Sequence, residues 1–261
     1  MVTASYIFAI LFEIVYPILV GTLIIRRYKT GWKLFGVGIL TFLGSQIVHV
    51  LLLSGLTEFI RRGIFPSPAL EMMPYAIVVG LLAGLCEETA RFTGYKILKE
   101  RGNSWGAALT LGSGHGGIES MLIGLVSLAN FALFIFIQQS NRSILGITPA
   151  QVSSYLNIPW TIPLAAAVER LTSLVMQLTL SVMVWIAVSR RAWVWFGGAI
   201  LWHALVDGSV ILLQNFGLTV WTIEGILTGV MLINFAGLYI MSLLTKQILP
   251  PTATRTNVLV N

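Results

Sequence analysis

Seven apolar stretches, each about 20 residues or longer and parted by short polar connections, leave this chain few ways to fold. They run over residues 5–25, 33–56, 72–98, 105–137, 164–189, 193–213 and 222–244. A bilayer core offers no water to backbone N–H and C=O groups, so each stretch must satisfy its own backbone as an α-helix. The expected fold is all-α: a polytopic transmembrane helical bundle of about seven spans, a single integral membrane domain over residues 1–261. Composition agrees, since 56% of the residues are hydrophobic and only 10% are charged, whereas a soluble domain carries about a quarter charged residues.

The first stretch lacks a basic leading segment and a small-residue cleavage site, so it reads as a retained span. The fourth exceeds the length of an untilted span, which predicts tilting, a kink near Gly112 to Gly117, or extension past the surface. Between the fourth and fifth lies a polar loop, residues 138–163, with room for a short surface helix over 149–156 that could serve as a lid. The lone cysteine, Cys86, excludes an intramolecular disulfide. A pI near 9.7 comes without any basic tract interleaved with aromatics, so it speaks of loop topology and not of nucleic acid.

Orientation follows from where the cations fall. With the N-terminus outside, the inner loops and tail hold Arg26, Arg27, Lys29, Lys33, Lys96, Lys99, Arg101, Arg190, Arg191, Lys246 and Arg255, against Arg61, Arg62 and Arg142 outside. Lysine and arginine favour the cytoplasmic side of short loops, so the expected topology is N-out, C-in.

Within these apolar stretches the chain keeps ionisable residues: Glu87, Glu88 and Arg91 in the third, His115 and Glu119 in the fourth, Arg170 in the fifth, His203 and Asp207 in the sixth. Such groups are costly in lipid and mark functional sites unless partnered or wet. Glu87 precedes Lys99 by 12 positions, His115 follows Ser104 by 11 and His203 follows Ala192 by 11. At about 1.5 Å of rise per residue, all three lie roughly 17 Å from the cytoplasmic ends of their helices. A common depth from three helices predicts one site. Glu87 and Arg91, His115 and Glu119, and His203 and Asp207 are each four apart, stacking each pair on one helix face. Arg91 can thus hold a glutamate charged, while Glu119 and Asp207 can orient an imidazole. Glycines flanking His115 let another backbone or a substrate strand approach closely. His49 and Glu13 read as packing residues, and Cys86 lacks the imidazole that a thiol nucleophile needs.

At these residues the chain resembles the CAAX prenyl protease and bacteriocin-processing superfamily of intramembrane proteases. Glu87-Glu88-Thr-Ala-Arg91 matches its Glu-Glu-x-x-Arg motif, His115 is similar to its second-motif histidine, and His203 to Asp207 resembles its His-x-x-x-Asn or Asp motif. The Gly-His-Gly-Gly-Ile-Glu stretch around His115 is closer still to the YhfC-like branch, as is the Glu169-Arg170 pair; Leu111 stands where the superfamily often has Phe. The likeness covers approximately residues 72–213, the expected catalytic core.

What the resemblance implies is peptide-bond hydrolysis in or near the bilayer of a bacterial cytoplasmic membrane. Glu87 would remove a proton from water that His115 helps to position, His203 and Asp207 would stabilise the oxyanion, and Glu88 and Arg91 would support the base. No cofactor is required in that glutamate mechanism. A zinc mechanism is the open alternative, with His115 and His203 as ligands, although no His-Glu-x-x-His helix is present. The expected partners are membrane lipids and a peptide or membrane-protein substrate. Two other functions fit intramembrane Glu, Asp and His: a proton- or ion-coupled transporter, or a noncatalytic membrane binding or immunity protein of protease-like fold.

Overall fold

The computed structural model describes residues 1–139 and 148–248. Among the described residues the chain forms seven long helices: α1 (Val2–Tyr28), α2 (Trp32–Arg61), α3 (Met72–Leu98), α4 (Trp105–Gln139), α6 (Ile162–Arg190), α7 (Trp193–Asn215) and α8 (Val220–Ile248), with a short α5 (Pro149–Leu156) between α4 and α6. All seven are long and apolar enough to cross a membrane. Their order follows the seven apolar stretches, and α5 occupies the short segment expected in the polar loop. The long fourth stretch is one uninterrupted helix through its glycines. Arg142 and Arg255 lie outside the described residues.

One helix serves as the axis. In the most apolar part of α6, 72% of residues are buried, against at most a third in the other spans, and α6 packs on α1, α3, α4, α7 and α8. The outer helices turn large apolar side chains outward, among them Leu40, Leu51, Leu201 and Tyr239, as a lipid-facing surface should.

Lipid is as apolar as leucine, so helices associate here through close packing and polar contacts and not through exclusion of water. A Cβ built on Gly114 would stand 2.0 Å from the Phe35 carbonyl oxygen, and one on Gly38 would stand 2.1 Å from that of Leu111. The glycine beside His115 therefore admits the backbone of α2, which settles what approaches that face. Glycines on α3 do the same toward α7. Gly80 and Gly84 lie under the carbonyls of Ala204 and Ile200, drawing Glu88 and His203 together across the most extensive helix interface in the bundle.

The half of the bundle nearer the basic loops is filled. Tyr95, Ala108, Leu109, Leu111, Leu180, Val184, Trp185 and Ile186 form a buried cluster there, and the Tyr95 hydroxyl lies 2.6 Å from Ser181 Oγ and donates to the Ser181 carbonyl at 3.0 Å. Between this tier and the face that carries the N-terminus lie the buried ionisable residues Glu87, Glu88, His115 and His203.

Candidate active site

Glu87 is the hub. Its Oε2 lies 3.1 Å from His115 Nε2, 3.8 Å from His203 Nε2 and 3.7 Å from the Arg91 guanidinium. Three helices thus deliver three residues, separated by up to 116 positions, to one point. Glu87 is 6% exposed, and Glu88, Arg91 and His115 are fully buried. Two amides that motif reasoning missed complete the shell: Gln46 of α2 donates to Glu87 Oε1 at 3.1 Å, and Gln177 of α6 donates to Oε2 at 3.4 Å.

Each imidazole is held from behind. His115 Nδ1 is 2.9 Å from Thr41 Oγ1, and that hydroxyl also lies 2.7 Å from the Gly38 carbonyl, to which it donates. With its one proton so used, the hydroxyl accepts from Nδ1–H, so the 3.1 Å contact between His115 Nε2 and Glu87 Oε2 is a hydrogen bond when a proton lies between them, on the carboxyl or as the second proton of the imidazole. His203 Nδ1 stands 2.7 Å from Glu88 Oε1, a carboxylate partner, leaving its Nε2 facing Glu87 and, at 3.4 Å, Asp207. Phe42 sets its ring edge-on to His115.

The buried charges pair differently from the simple spacing rule. Arg91 donates to Glu88 Oε1 at 2.5 Å and to Gln177 Oε1, so its close carboxylate is Glu88, with Glu87 farther off. Glu119 does not orient His115. Its partners among the described residues are Arg170 at 2.8 Å, Gln177 at 2.7 Å and Ser173 at 3.3 Å. Position i+4 placed Glu119 on the same helical face, but the guanidinium of Arg170 from α6 captures it, while His115 turns its second nitrogen to α2. Arg170 also pairs with its neighbour Glu169. Gln177 links the two clusters, since its amide touches Arg91, Glu87 and Glu119.

A cavity of about 330 Å³ opens above this floor, lined by Glu87, Gln177, His203 and Asp207 and continued upward by Glu169, Arg170 and apolar residues of α3, α7 and α8. His49, expected from sequence to be a packing residue, belongs to its wall. Its Nε2 is buried with no hydrogen-bond partner among the described residues. Cys86, by contrast, lines a separate apolar groove between α2 and α3.

A family model described as YhfC intramembrane metalloprotease matches residues 12–227. The chain belongs to that family. It is also 27% identical over 206 residues to a curated relative, the uncharacterized membrane protein YhfC of Bacillus subtilis (strain 168), covering 73% of this chain and 76% of the relative. No solved structure matches.

The family description points to a metal, and the side chains fit one in kind. Two imidazole Nε2 atoms and a carboxylate oxygen face one another, and both imidazoles carry the rear hydrogen bond that usually fixes a ligating histidine. Among the described residues, however, no three His, Cys, Asp or Glu side chains are already arranged around a common ion position.

Proposed function

We propose that this protein is an intramembrane endopeptidase in which Glu87 activates water at the floor of the cavity. The observation that supports this most is the meeting of Glu87 with His115 and His203, with Glu87 and His203 lining an accessible cavity and His115 buried behind them. Water is a poor nucleophile, so hydrolysis needs a base at the water and donors at the developing oxyanion. Glu87 takes the water proton as the hydroxyl oxygen attacks the scissile carbonyl, and returns it to the amine nitrogen as the carbon–nitrogen bond breaks. Gln46 and Gln177 hold that carboxylate in one rotamer. His203, with Glu88 at Nδ1 and Asp207 at Nε2, can carry a proton on both nitrogens and aim Nε2–H at the oxyanion. Arg91 balances Glu88 so that this orientation persists.

Zinc, when bound, would be held by His115 and His203 with a carboxylate from Glu87 or Asp207, and would polarise the carbonyl and acidify its water. The transport reading needs a polar route to both faces, and the packed tier of Tyr95, Leu180 and Trp185 stands against it.

The test is proteolysis by purified protein in liposomes containing a library of membrane-anchored peptides, read by mass spectrometry. Wild type should generate new termini and Glu87→Gln should not. Absence of new termini with folded wild type would overturn the reading. Loss of cleavage on chelation, restored by zinc, selects the metal mechanism, and indifference to chelator selects the glutamate mechanism.

A further inference from the structure

The cavity has a direction. Along α3, Val79, Ala83 and Glu87 line it on successive turns, and along α6 so do Glu169, Ser173 and Gln177; both helices begin on the face that carries the N-terminus of α1 and the α2–α3 connection. On α7, which runs the opposite way, the wall climbs from His203 through Asp207 to Ile211, toward the end of that helix on the same face. Leu227 and Val230 come from the N-terminal half of α8, which also starts there. Every wall leads from the catalytic floor to the N-terminal face. From Glu169 to Gln177 alone the wall spans about 12 Å along the helix axis.

The opposite route is shut. A second hollow of about 280 Å³ on the other face is lined by Lys96, Lys99, Arg191 and Trp185, and ends at Tyr95. Tyr95 is 2% exposed and hydrogen-bonded to Ser181, so the packed tier separates this hollow from Glu87.

The two faces also differ in charge. Arg26, Arg27, Lys29, Lys33, Lys96, Lys99, Arg101, Arg190 and Arg191 all border the closed face, whereas Arg61 and Arg62 at the open face are both paired with Glu58. Short loops rich in lysine and arginine stay in the cytoplasm. We propose that the cavity opens to the extracytoplasmic side, and that the substrate is a polypeptide segment presented at the outer leaflet, such as the outer juxtamembrane stretch of a membrane-anchored protein. The substrate clause rests on the peptidase reading; the sidedness does not.

Single cysteines test it, because Cys86 is the only native one and can be replaced by alanine. Glu169→Cys and Val210→Cys report on the cavity wall, and Lys99→Cys on the closed face. A membrane-impermeant maleimide is applied to intact spheroplasts and, separately, to inverted vesicles. Both wall cysteines should react in spheroplasts at least tenfold faster than in vesicles, with Lys99→Cys showing the reverse. Faster reaction of the wall cysteines in vesicles would overturn the proposal, as would failure to react on either side when the detergent-denatured proteins label fully. A paired assay in the otherwise native protein places one cleavable segment on the outer or the inner side of the same membrane anchor. Cleavage of the inner reporter alone would overturn the substrate clause. Outward labelling with neither reporter cut would remove the peptidase reading and leave the sidedness standing.

Discussion

Removing Arg91 should destabilise this protein more than removing Arg91 and the charge of Glu88 together. Arg91 and Glu88 are both fully buried and 2.5 Å apart, and the second Glu88 oxygen has no partner among the described residues. Arg91→Met therefore leaves a carboxylate whose remaining support is the His203 imidazole at 2.7 Å. Breaking a buried pair from one side costs about 3–5 kcal/mol, whereas replacing both charges by neutral groups is often near neutral. The double variant Arg91→Met/Glu88→Gln still lets the Gln oxygen accept from His203, and should lie within about 1.5 kcal/mol of wild type once one lost neutral hydrogen bond is allowed for. Glu88→Gln alone strands the Arg91 guanidinium and should cost a similar amount, so the expected coupling, the two single costs less that of the double, is about 4.5 kcal/mol or more, well above the non-additivity of about 0.5 kcal/mol seen for unconnected sites. Unfolding by denaturing detergent in mixed micelles, followed by circular dichroism across the four proteins of the cycle, measures it. A coupling under about 0.5 kcal/mol would show that the ion pair does not organise the site, and with it that Arg91 does not set the His203 orientation.

Much of this architecture was legible because the bilayer simplifies the problem. Backbone satisfaction forces helices, a helix converts residue number into depth, and Glu87, His115 and His203 could be placed at one level from counting alone. Rotation about each helix axis was not legible, and it decides partners. Glu119 shares a face with His115, yet Arg170 on α6 claims it. Thr41, Gln46 and Gln177 escaped notice because uncharged side chains cost less in a span and so stand out less. A signal did exist: Gln46 and Gln177 are glutamines deep inside apolar stretches, where each amide needs partners on both its oxygen and its nitrogen. His49 shows the same limit. Lacking an acidic neighbour on its own helix, it read as packing, while its actual surroundings come from α3 and α7 across the cavity.

Four further outcomes follow from particular contacts. Glu87→Gln should keep the fold and lower hydrolysis about 10²-fold or more, measured as initial rate on a reporter peptide in liposomes; normal cleavage would remove Glu87 as the base. His203→Ala should raise the barrier by about 2.7–4 kcal/mol, a loss of about 10²–10³ in kcat, if Nε2 donates to the oxyanion; a change confined to KM would assign it to binding. His49→Leu replaces a buried nitrogen that lacks a partner, so it should leave detergent stability unchanged or raised while lowering turnover through the reshaped cavity wall; lost stability would return His49 to a packing role. Gly114→Ala is the sharpest test of how the site is held. The added Cβ would lie 2.0 Å from the Phe35 carbonyl, which α2 can relieve only by moving away from α4. That movement carries Thr41 off His115 Nδ1 and Gln46 off Glu87, so activity should fall along with about 1–3 kcal/mol of stability. Gly36→Ala on α2, with nothing within 4 Å of its Cβ, should change neither. Equal tolerance of both substitutions would mean that close approach of α2 and α4 does not position the side chains around Glu87.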